Sequence, residues 1–398
     1  RQMCIRDRSY RKIISFPEEN KDSFGPFLDK MKRMGFVLND GINEMDSIKK
    51  KFEALTVPHQ YFLMVLPTYE CNLRCWYCIQ KHENLFMSDE VLANIKSLVV
   101  RKLQDDSITD LHLSWFGGEP LLAYDRVIDL TLFARDYAKE NGKTFSSAIT
   151  TNGTLLTPER IEALRDAGVV NYQITIDGDR PTHNSVKKLG TISAYDRTLE
   201  NINLIARHTH VSLRFNYTRE NLKPYGIMES LRSKLDPDVL GNITFNIYKV
   251  WQDDQEKVKE EDVDLLFNIS MDSGLTPTLQ TMGLCYADRV HYDCVFPNGH
   301  VGKCDNHAPE EQPGILQKDG TILWERDMTD LYSPHIFDGK QTQCRECRHL
   351  PVCWGPCVVK RESMLMARDR IGCVHQHRDT EIERLILNTC RTILQTTG

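Results

Sequence analysis

The stretch CNLRCWYC, residues 71–78, contains Cys71, Cys75 and Cys78, and the next cysteine in the chain is Cys285. A structural zinc ion or a fully ligated iron–sulfur cubane takes four protein ligands, so three thiols in one loop predict an iron–sulfur cluster with one open position. Zinc is the alternative metal, but it usually takes paired C-x2-C knuckles. A thioredoxin-like redox role for the last two cysteines would leave the first unexplained.

The composition of the 398 residues is that of an ordinary soluble protein with room for two or three domains. No apolar run is long enough to span a bilayer and no secretory signal is visible, which predicts a cytoplasmic protein without a membrane partner. A net charge of −6, with acidic and basic residues interspersed, argues against a nucleic-acid partner. Thirteen cysteines in such a chain indicate metal binding or redox chemistry before disulfides.

Residues 59–250 alternate short β-rich runs with amphipathic helical stretches. Strands are predicted at 61–66, 110–116, 143–150, 170–177, 210–218 and 242–250. Helices are predicted between them at 88–103, 120–140, 157–168, 193–207 and 224–235. This order predicts an α/β fold, a partial (β/α)6 barrel of parallel strands that falls short of the eight strands of a full barrel.

Short motifs follow four of the predicted strands at their carboxyl ends, where parallel arrays place functional residues. The cysteine loop follows the first strand, GGEP (117–120) the second, TNG (151–153) the third and DG (177–178) the fourth. Each glycine motif by itself could be an ordinary turn. Their occurrence after successive strands favours one shared site.

The C-x3-C-x2-C loop after the first strand, together with the motifs after the next strands, resembles the radical S-adenosylmethionine (SAM) superfamily over about residues 60–250. The resemblance implies that the cysteine loop holds a 4Fe–4S cluster whose open iron chelates SAM. Reductive cleavage of SAM would then give a 5′-deoxyadenosyl radical that takes a hydrogen atom from a substrate. The implied SAM contacts are Tyr77, Gly117, Gly118, Glu119, Asn152, Asp177 and Arg214. The arginine also fits a substrate carboxylate or a structural ion pair.

Eight further cysteines lie between residues 285 and 373. Their spacing closely resembles the SPASM extension of radical SAM peptide- and protein-modifying enzymes, which carries two auxiliary 4Fe–4S clusters. By this resemblance, the first auxiliary cluster takes Cys285, Cys294, Cys304 and Cys357. The second takes Cys344, Cys347, Cys353 and Cys373. If Cys294 is not a ligand, one iron of the first auxiliary cluster would be open to substrate. A zinc-ribbon-like structural module is the alternative.

The remaining segments complete the predicted domain organisation. Residues 1–58 are an N-terminal extension, which either caps the bottom of the barrel or is the remnant of a peptide-recognition module. Within it, residues 1–8 resemble a translated adapter sequence and are left out of the fold prediction. A linker with a helix is expected at 251–284, the SPASM domain at 285–378 and a C-terminal helix at 379–398.

Asp305 directly follows Cys304. In the anaerobic sulfatase maturases, which the chain resembles, an aspartate placed in this way acts as a base on the substrate radical. Asp305 could instead be a solvated turn residue, and His307 nearby could be a base or a bystander. The resemblance predicts an enzyme that oxidatively modifies a ribosomally made precursor peptide, installing a thioether or carbon–carbon cross-link. A flavodoxin or ferredoxin would supply electrons, in an anaerobic host. The alternatives are a sulfatase maturase making formylglycine and a non-catalytic zinc-bearing scaffold.

Overall fold

The computed structural model describes residues 43–367 apart from 254–257, 280–282, 326–330, 333–335, 338–341 and 348, together with residues 25, 26, 29, 32, 33 and 373. The predictions for residues 1–8 and 379–398, and for most of the N-terminal extension, lie outside the described residues.

The described part of the chain contains a single large sheet. Its strands are β1 (Gln60–Val65), β2 (Asp110–Trp115), β3 (Thr144–Thr151), β4 (Val169–Ile176), β5 (His210–Tyr217), β6 (Ile243–Lys249), β7 (Thr276–Leu279), β8 (Tyr292–Val295), β9 (His300–Gly302), β10 (Gly314–Leu316) and β11 (Ile322–Trp324). Their order is β11-β10-β9-β8-β1-β2-β3-β4-β5-β6-β7. Strands β8 and β1–β7 pair in parallel, and β9–β11 continue from β8 as antiparallel strands.

Helices connect the parallel strands and extend into the cysteine-rich region. They are α1 (Glu44–Thr56), α2 (Asp89–Leu103), α3 (Tyr124–Glu140), α4 (Pro158–Ala167), α5 (Arg180–Val186), α6 (Ala194–Ala206), α7 (Pro224–Arg232), α8 (Glu260–Asp272), α9 (Thr342–Arg345), α10 (Leu350–Cys353) and α11 (Val358–Met366). None of these described helices is long and apolar enough to cross a membrane.

Strand β1 contacts apolar side chains on both of its faces, as its continuous apolar sequence YFLMV predicts. On β1, Tyr61, Leu63 and Val65 are fully buried in the main core, which the helices of the outer layer complete. Phe62 and Met64 point to the opposite face, where they pack on a smaller apolar cluster. Successive side chains of β1 therefore alternate between the side that packs on the helices and the opposite side, which carries Phe62 and Met64.

The six predicted strands are present as β1–β6, and the unclosed parallel α/β array is confirmed. The sheet is larger than the predicted array, because β7 adds to β6 and β8 adds to β1 in parallel. Both additional strands have only four residues, TPTL and YDCV. Such short runs carry too little alternation to be recognised.

Candidate functional site

A cavity of about 340 Å³ lies at the carboxyl ends of the parallel strands. It brings together most of the residues that the sequence singles out. Its lining includes Cys71, Tyr77, Cys75, Cys78, Gly117, Gly118, Asn152, Arg214 and Asp305. The side chains of Glu119 and Asp177 are buried and contribute to the site from behind this lining.

The two glycines of GGEP allow their loop to lie directly against the backbone that leads into Cys71. The N–H of Gly118 donates to the carbonyl of Thr68 at 3.0 Å, and that of Glu119 donates to the carbonyl of Glu70 at 2.9 Å. A Cβ on Gly118 would lie 2.1 Å from the carbonyl oxygen of Glu70. No side chain fits in that space, so the glycine is needed for the contact between the two loops.

Glu119 joins the GGEP loop to the TNG loop. Its carboxylate accepts hydrogen bonds from the N–H of Leu121 at 3.1 Å, the hydroxyl of Thr151 at 2.8 Å and the N–H of Asn152 at 2.8 Å. Burial raises the pKa of this carboxyl group, and the hydrogen bonds oppose that rise. A direct contact between Glu119 and SAM stays a prediction.

Asn152 lies against the first cysteine of the loop. Its Nδ2 atom is 3.8 Å from the Sγ atom of Cys71 and donates to Oδ1 of Asn72 at 2.8 Å. The carbonyl oxygen of the same amide accepts from the N–H of Thr154 at 2.9 Å. The third strand end therefore helps to orient the cysteine loop, in addition to lining the cavity.

A buried polar group fixes the aromatic ring of Tyr77. The Tyr77 hydroxyl donates to Oδ1 of Asp177 at 2.5 Å, and Nζ of Lys187 lies 3.5 Å from the other carboxylate oxygen. Lys187 donates to the carbonyl of Thr175 at 2.6 Å and lines the cavity. Sequence reasoning missed this buried lysine, because no motif marks it in the stretch VKKLG.

The three thiols of the loop fit an iron–sulfur cluster in the character of their donors. Burial raises the pKa of Cys71 to about 11 and also raises the pKa of Cys75 and Cys78. The thiols are therefore protonated at neutral pH without metal, and metal binding would release their protons. Among the described residues, no three His, Cys, Asp or Glu side chains form a group that could hold a single metal ion. An all-sulfur donor set beside a small-molecule cavity is the setting that a cluster with an exchangeable ligand needs.

Asp305 lies between two cavities. It lines the main cavity and also a second one of about 200 Å³, which Tyr69, Gln80 and His307 line as well. Burial raises the pKa of Asp305, against the opposing effect of Arg214 and His307. The His307 ring is engaged elsewhere, since its Nε2 atom lies 3.2 Å from a carboxylate oxygen of Glu362.

The cysteines assigned to the first auxiliary cluster affect one another's pKa. Burial, together with Asp305, Cys285 and Cys357, raises the pKa of Cys304 to about 12. Cys294 is fully buried in β8 within the apolar cluster around Tyr292, and burial together with Asp305 and Cys304 raises its pKa well above the ordinary value. Its role as a ligand stays a prediction.

A buried ion pair joins the two segments that carry Cys285 and Cys357. Asp288 pairs with Arg361, and both side chains are almost completely buried. The N–H of Asp288 donates to the carbonyl of Cys285 at 3.1 Å, and the N–H of Arg361 donates to the carbonyl of Cys357 at 3.0 Å. The pair therefore joins two segments that are 73 positions apart in the chain.

The cysteines assigned to the second auxiliary cluster begin in a compact series of turns. The N–H of Cys347 donates to the carbonyl of Cys344, and α10 ends at Cys353. Trp354 then adopts a left-handed conformation, with φ of 55°, which turns the chain toward Cys357. Its ring packs against Phe52 of α1, with ring centroids 5.8 Å apart.

Comparison with known proteins agrees with this geometry. The sequence model of the Radical SAM superfamily matches residues 65–222. The serine-type anaerobic sulfatase-maturating enzyme of Bacteroides thetaiotaomicron is 26% identical over 362 residues, which cover 76% of this chain and 83% of that protein.

Two solved structures share the fold. The structure titled native anSMEcpe with bound AdoMet and Cp18Cys peptide has a TM-score of 0.61 at 17% identity, covering 85% of this chain and 100% of that one. Streptococcus suis SuiB bound to its precursor peptide SuiA has a TM-score of 0.54 at 15% identity, covering 90% and 89%.

The cysteine loop, the strand-end motifs and these matches define a radical SAM domain. Residues 65–222 are a domain of this enzyme superfamily, and the chain is similar in sequence to an anaerobic sulfatase-maturating enzyme. A non-catalytic zinc-bearing scaffold, one of the alternatives drawn from the sequence, is not supported.

Substituting Gly118 by alanine should destabilise the protein by about 1–3 kcal/mol, because the new methyl group would overlap the Glu70 carbonyl. Gly226→Ala is the matched control, since its Cβ would meet nothing closer than 3.9 Å and alanine favours the helix by about 0.5–1 kcal/mol. Denaturant unfolding of the metal-free proteins measures both. Equal stability of the two variants would contradict the tight contact between the loops.

Substituting Arg361 by methionine should cost about 3–5 kcal/mol of stability, because it leaves the Asp288 carboxylate buried without its partner. A second change, Asp288→Leu in the same chain, should recover most of that loss by removing the stranded charge. Denaturant unfolding of the two single variants, the double variant and the wild type completes the cycle. Additive losses would show that the pair is not coupled.

Proposed function

We propose that this radical SAM enzyme oxidatively modifies a ribosomally made peptide, installing a thioether or carbon–carbon cross-link. The observation that carries the proposal is the position of Asp305, which lines the SAM-side cavity and directly follows Cys304 of the first auxiliary group. A base and a candidate electron acceptor thus adjoin the same cavity. Loss of two hydrogens from a substrate requires both, in addition to a hydrogen-abstracting radical.

The number and type of the cysteines suit three 4Fe–4S clusters, and the cavity beside the cysteine loop suits SAM. Cys71, Cys75 and Cys78 would hold the SAM-binding cluster, and the eight cysteines of residues 285–373 would hold two auxiliary clusters. When bound, these groups would supply a 5′-deoxyadenosyl radical and accept the electron that the substrate releases.

The side chains of the cavity would bind and orient SAM and the substrate. Lys187 would pair with the SAM carboxylate, and the ring of Tyr77 would lie near the adenine, held in place through Asp177. Asp305 would take the proton that leaves the substrate, and the rise of its pKa on burial makes its carboxylate a stronger base.

A peptide substrate is also supported by the structural neighbours, which were solved with a bound Cp18Cys peptide and with the precursor peptide SuiA. A ferredoxin or flavodoxin would deliver the electron that cleaves SAM. The sulfatase maturase reaction, which forms formylglycine, is the second candidate, because the related Bacteroides thetaiotaomicron protein carries that name.

Anaerobically reconstituted protein should contain about twelve irons, four for each of three cubanes. With dithionite and SAM it should release 5′-deoxyadenosine, and Cys75→Ala should reduce that release to background. The matched control is Cys390→Ala, at a cysteine with no proposed ligand role. A Cys75→Ala protein with wild-type activity would contradict the assignment of the loop.

The product distinguishes the two candidate reactions. A peptide encoded beside the gene should lose two hydrogen atoms for each cross-link, and tandem mass spectrometry should locate the new bond. Formylglycine in a sulfatase-derived peptide, with no cross-linked product, would favour the maturase instead. Asp305→Asn should reduce product formation far more than 5′-deoxyadenosine release, since it removes the base and leaves the SAM contacts in place.

A further inference from the structure

Arg214 lines the main cavity, and only part of its guanidinium group is hydrogen-bonded by the described residues. Strand β5 alternates, so that Leu213 and Phe215 are fully buried in the core and Arg214 lines the cavity. Its Nε atom donates to Oδ1 of Asn216 at 2.9 Å. The guanidinium carbon lies 4.5 Å from the ring centroid of Tyr248 on the neighbouring strand β6.

These contacts fix the plane of the guanidinium and leave its outer edge available. Among the described residues, Arg214 forms no ion pair, and its two terminal nitrogens have no hydrogen-bond partner. A stacked, pre-oriented guanidinium presents two parallel N–H groups, the geometry that matches a carboxylate bidentately. A half-buried cation of this kind needs an anion to offset its desolvation.

The other charged side chains that line the cavity are Lys187, Lys249 and Asp305. Lys187 already lies 3.5 Å from the carboxylate of Asp177, which accepts a hydrogen bond from Tyr77 of the cysteine loop. Arg214 faces the same cavity as Asp305, and the two groups are close enough to affect each other's pKa without forming an ion pair. The guanidinium of Arg214 is therefore free to pair with an anionic group of a molecule bound beside Asp305.

We propose that Arg214 binds a carboxylate of the peptide substrate, so that the modified residue lies beside an aspartate, a glutamate or a chain terminus. This inference rests on the proposed function and specifies its substrate class. It assigns Arg214 to the substrate, where the sequence leaves a SAM contact, a substrate carboxylate and a structural ion pair open. The carboxylate would anchor the peptide next to Asp305 and away from the Lys187 side of the cavity.

Binding of two blocked amino acids tests the proposal without turnover. The probes are N-acetyl-aspartate N-methylamide and N-acetyl-asparagine N-methylamide, which differ only in the side-chain carboxylate. Equilibrium dialysis is run anaerobically on the reconstituted holoenzyme with saturating SAM and no reductant. Wild type should bind the aspartate probe about tenfold more tightly than the asparagine probe, as expected for a charge-assisted bidentate contact.

Three variants separate the possible sources of that preference. Arg214→Met should abolish it while changing SAM affinity less than about twofold, a range too small for a lost charge-assisted contact. Arg214→Lys should retain part of it, because it keeps the charge but not the planar fork. Lys249→Met, which removes another cation of the same cavity, should leave it intact.

The proposal is overturned if wild type shows no preference, or if Arg214→Met keeps it. It is also overturned if Arg214→Met weakens SAM binding about tenfold or more, since the arginine would then serve the SAM carboxylate. None of these measurements requires radical chemistry. Failure of 5′-deoxyadenosine release would therefore count against the proposed function alone.

Discussion

The site depends on a backbone contact between two loops, in which residues 117–119 hydrogen-bond to residues 68–70. The contact is possible because position 118 has no Cβ, and it places the start of the cysteine loop against the end of the second strand. Glu119 then extends the same network to the third strand end through Asn152. Buried hydrogen bonds thus connect three consecutive strand ends before any cofactor is considered, and this pre-organisation is what a cluster-binding loop requires.

The cysteine-rich region is connected to the radical SAM domain by strand pairing, a buried ion pair and aromatic packing. Strand β8 adds in parallel beside β1, so the polypeptide that carries Cys294, Cys304 and Asp305 is part of the same sheet as the cysteine loop. The buried Asp288–Arg361 pair and the packing of Trp354 on α1 then fix the later cysteines. Asp305 can reach the main cavity because β8 and β9, which precede it, belong to the same sheet as β1, the strand that leads into the cysteine loop.

Much of the fold and site could be predicted from the sequence, because its signals are local. Six strands were recognisable from runs of apolar residues, and the position of each motif after a strand placed it at one end of a parallel sheet. Strand β7 was not recognisable, since four residues with a proline resemble a turn. Lys187 could not be found either, because its role comes from burial beside Asp177 and not from a motif. The Asp288–Arg361 pair joins distant positions that share no local pattern.

We expect Cys71, Cys75 and Cys78 to hold a cluster with one iron open to SAM. Electron paramagnetic resonance of the reduced protein, before and after SAM addition, measures whether SAM reaches that iron. A variant with Cys304→Ala and Cys344→Ala simplifies the spectrum by disabling both auxiliary sites. SAM should shift the signal of the remaining cluster in this variant, and the shift should be absent when Cys75→Ala is added. An unchanged spectrum on SAM addition would show that no iron of this cluster is open to SAM.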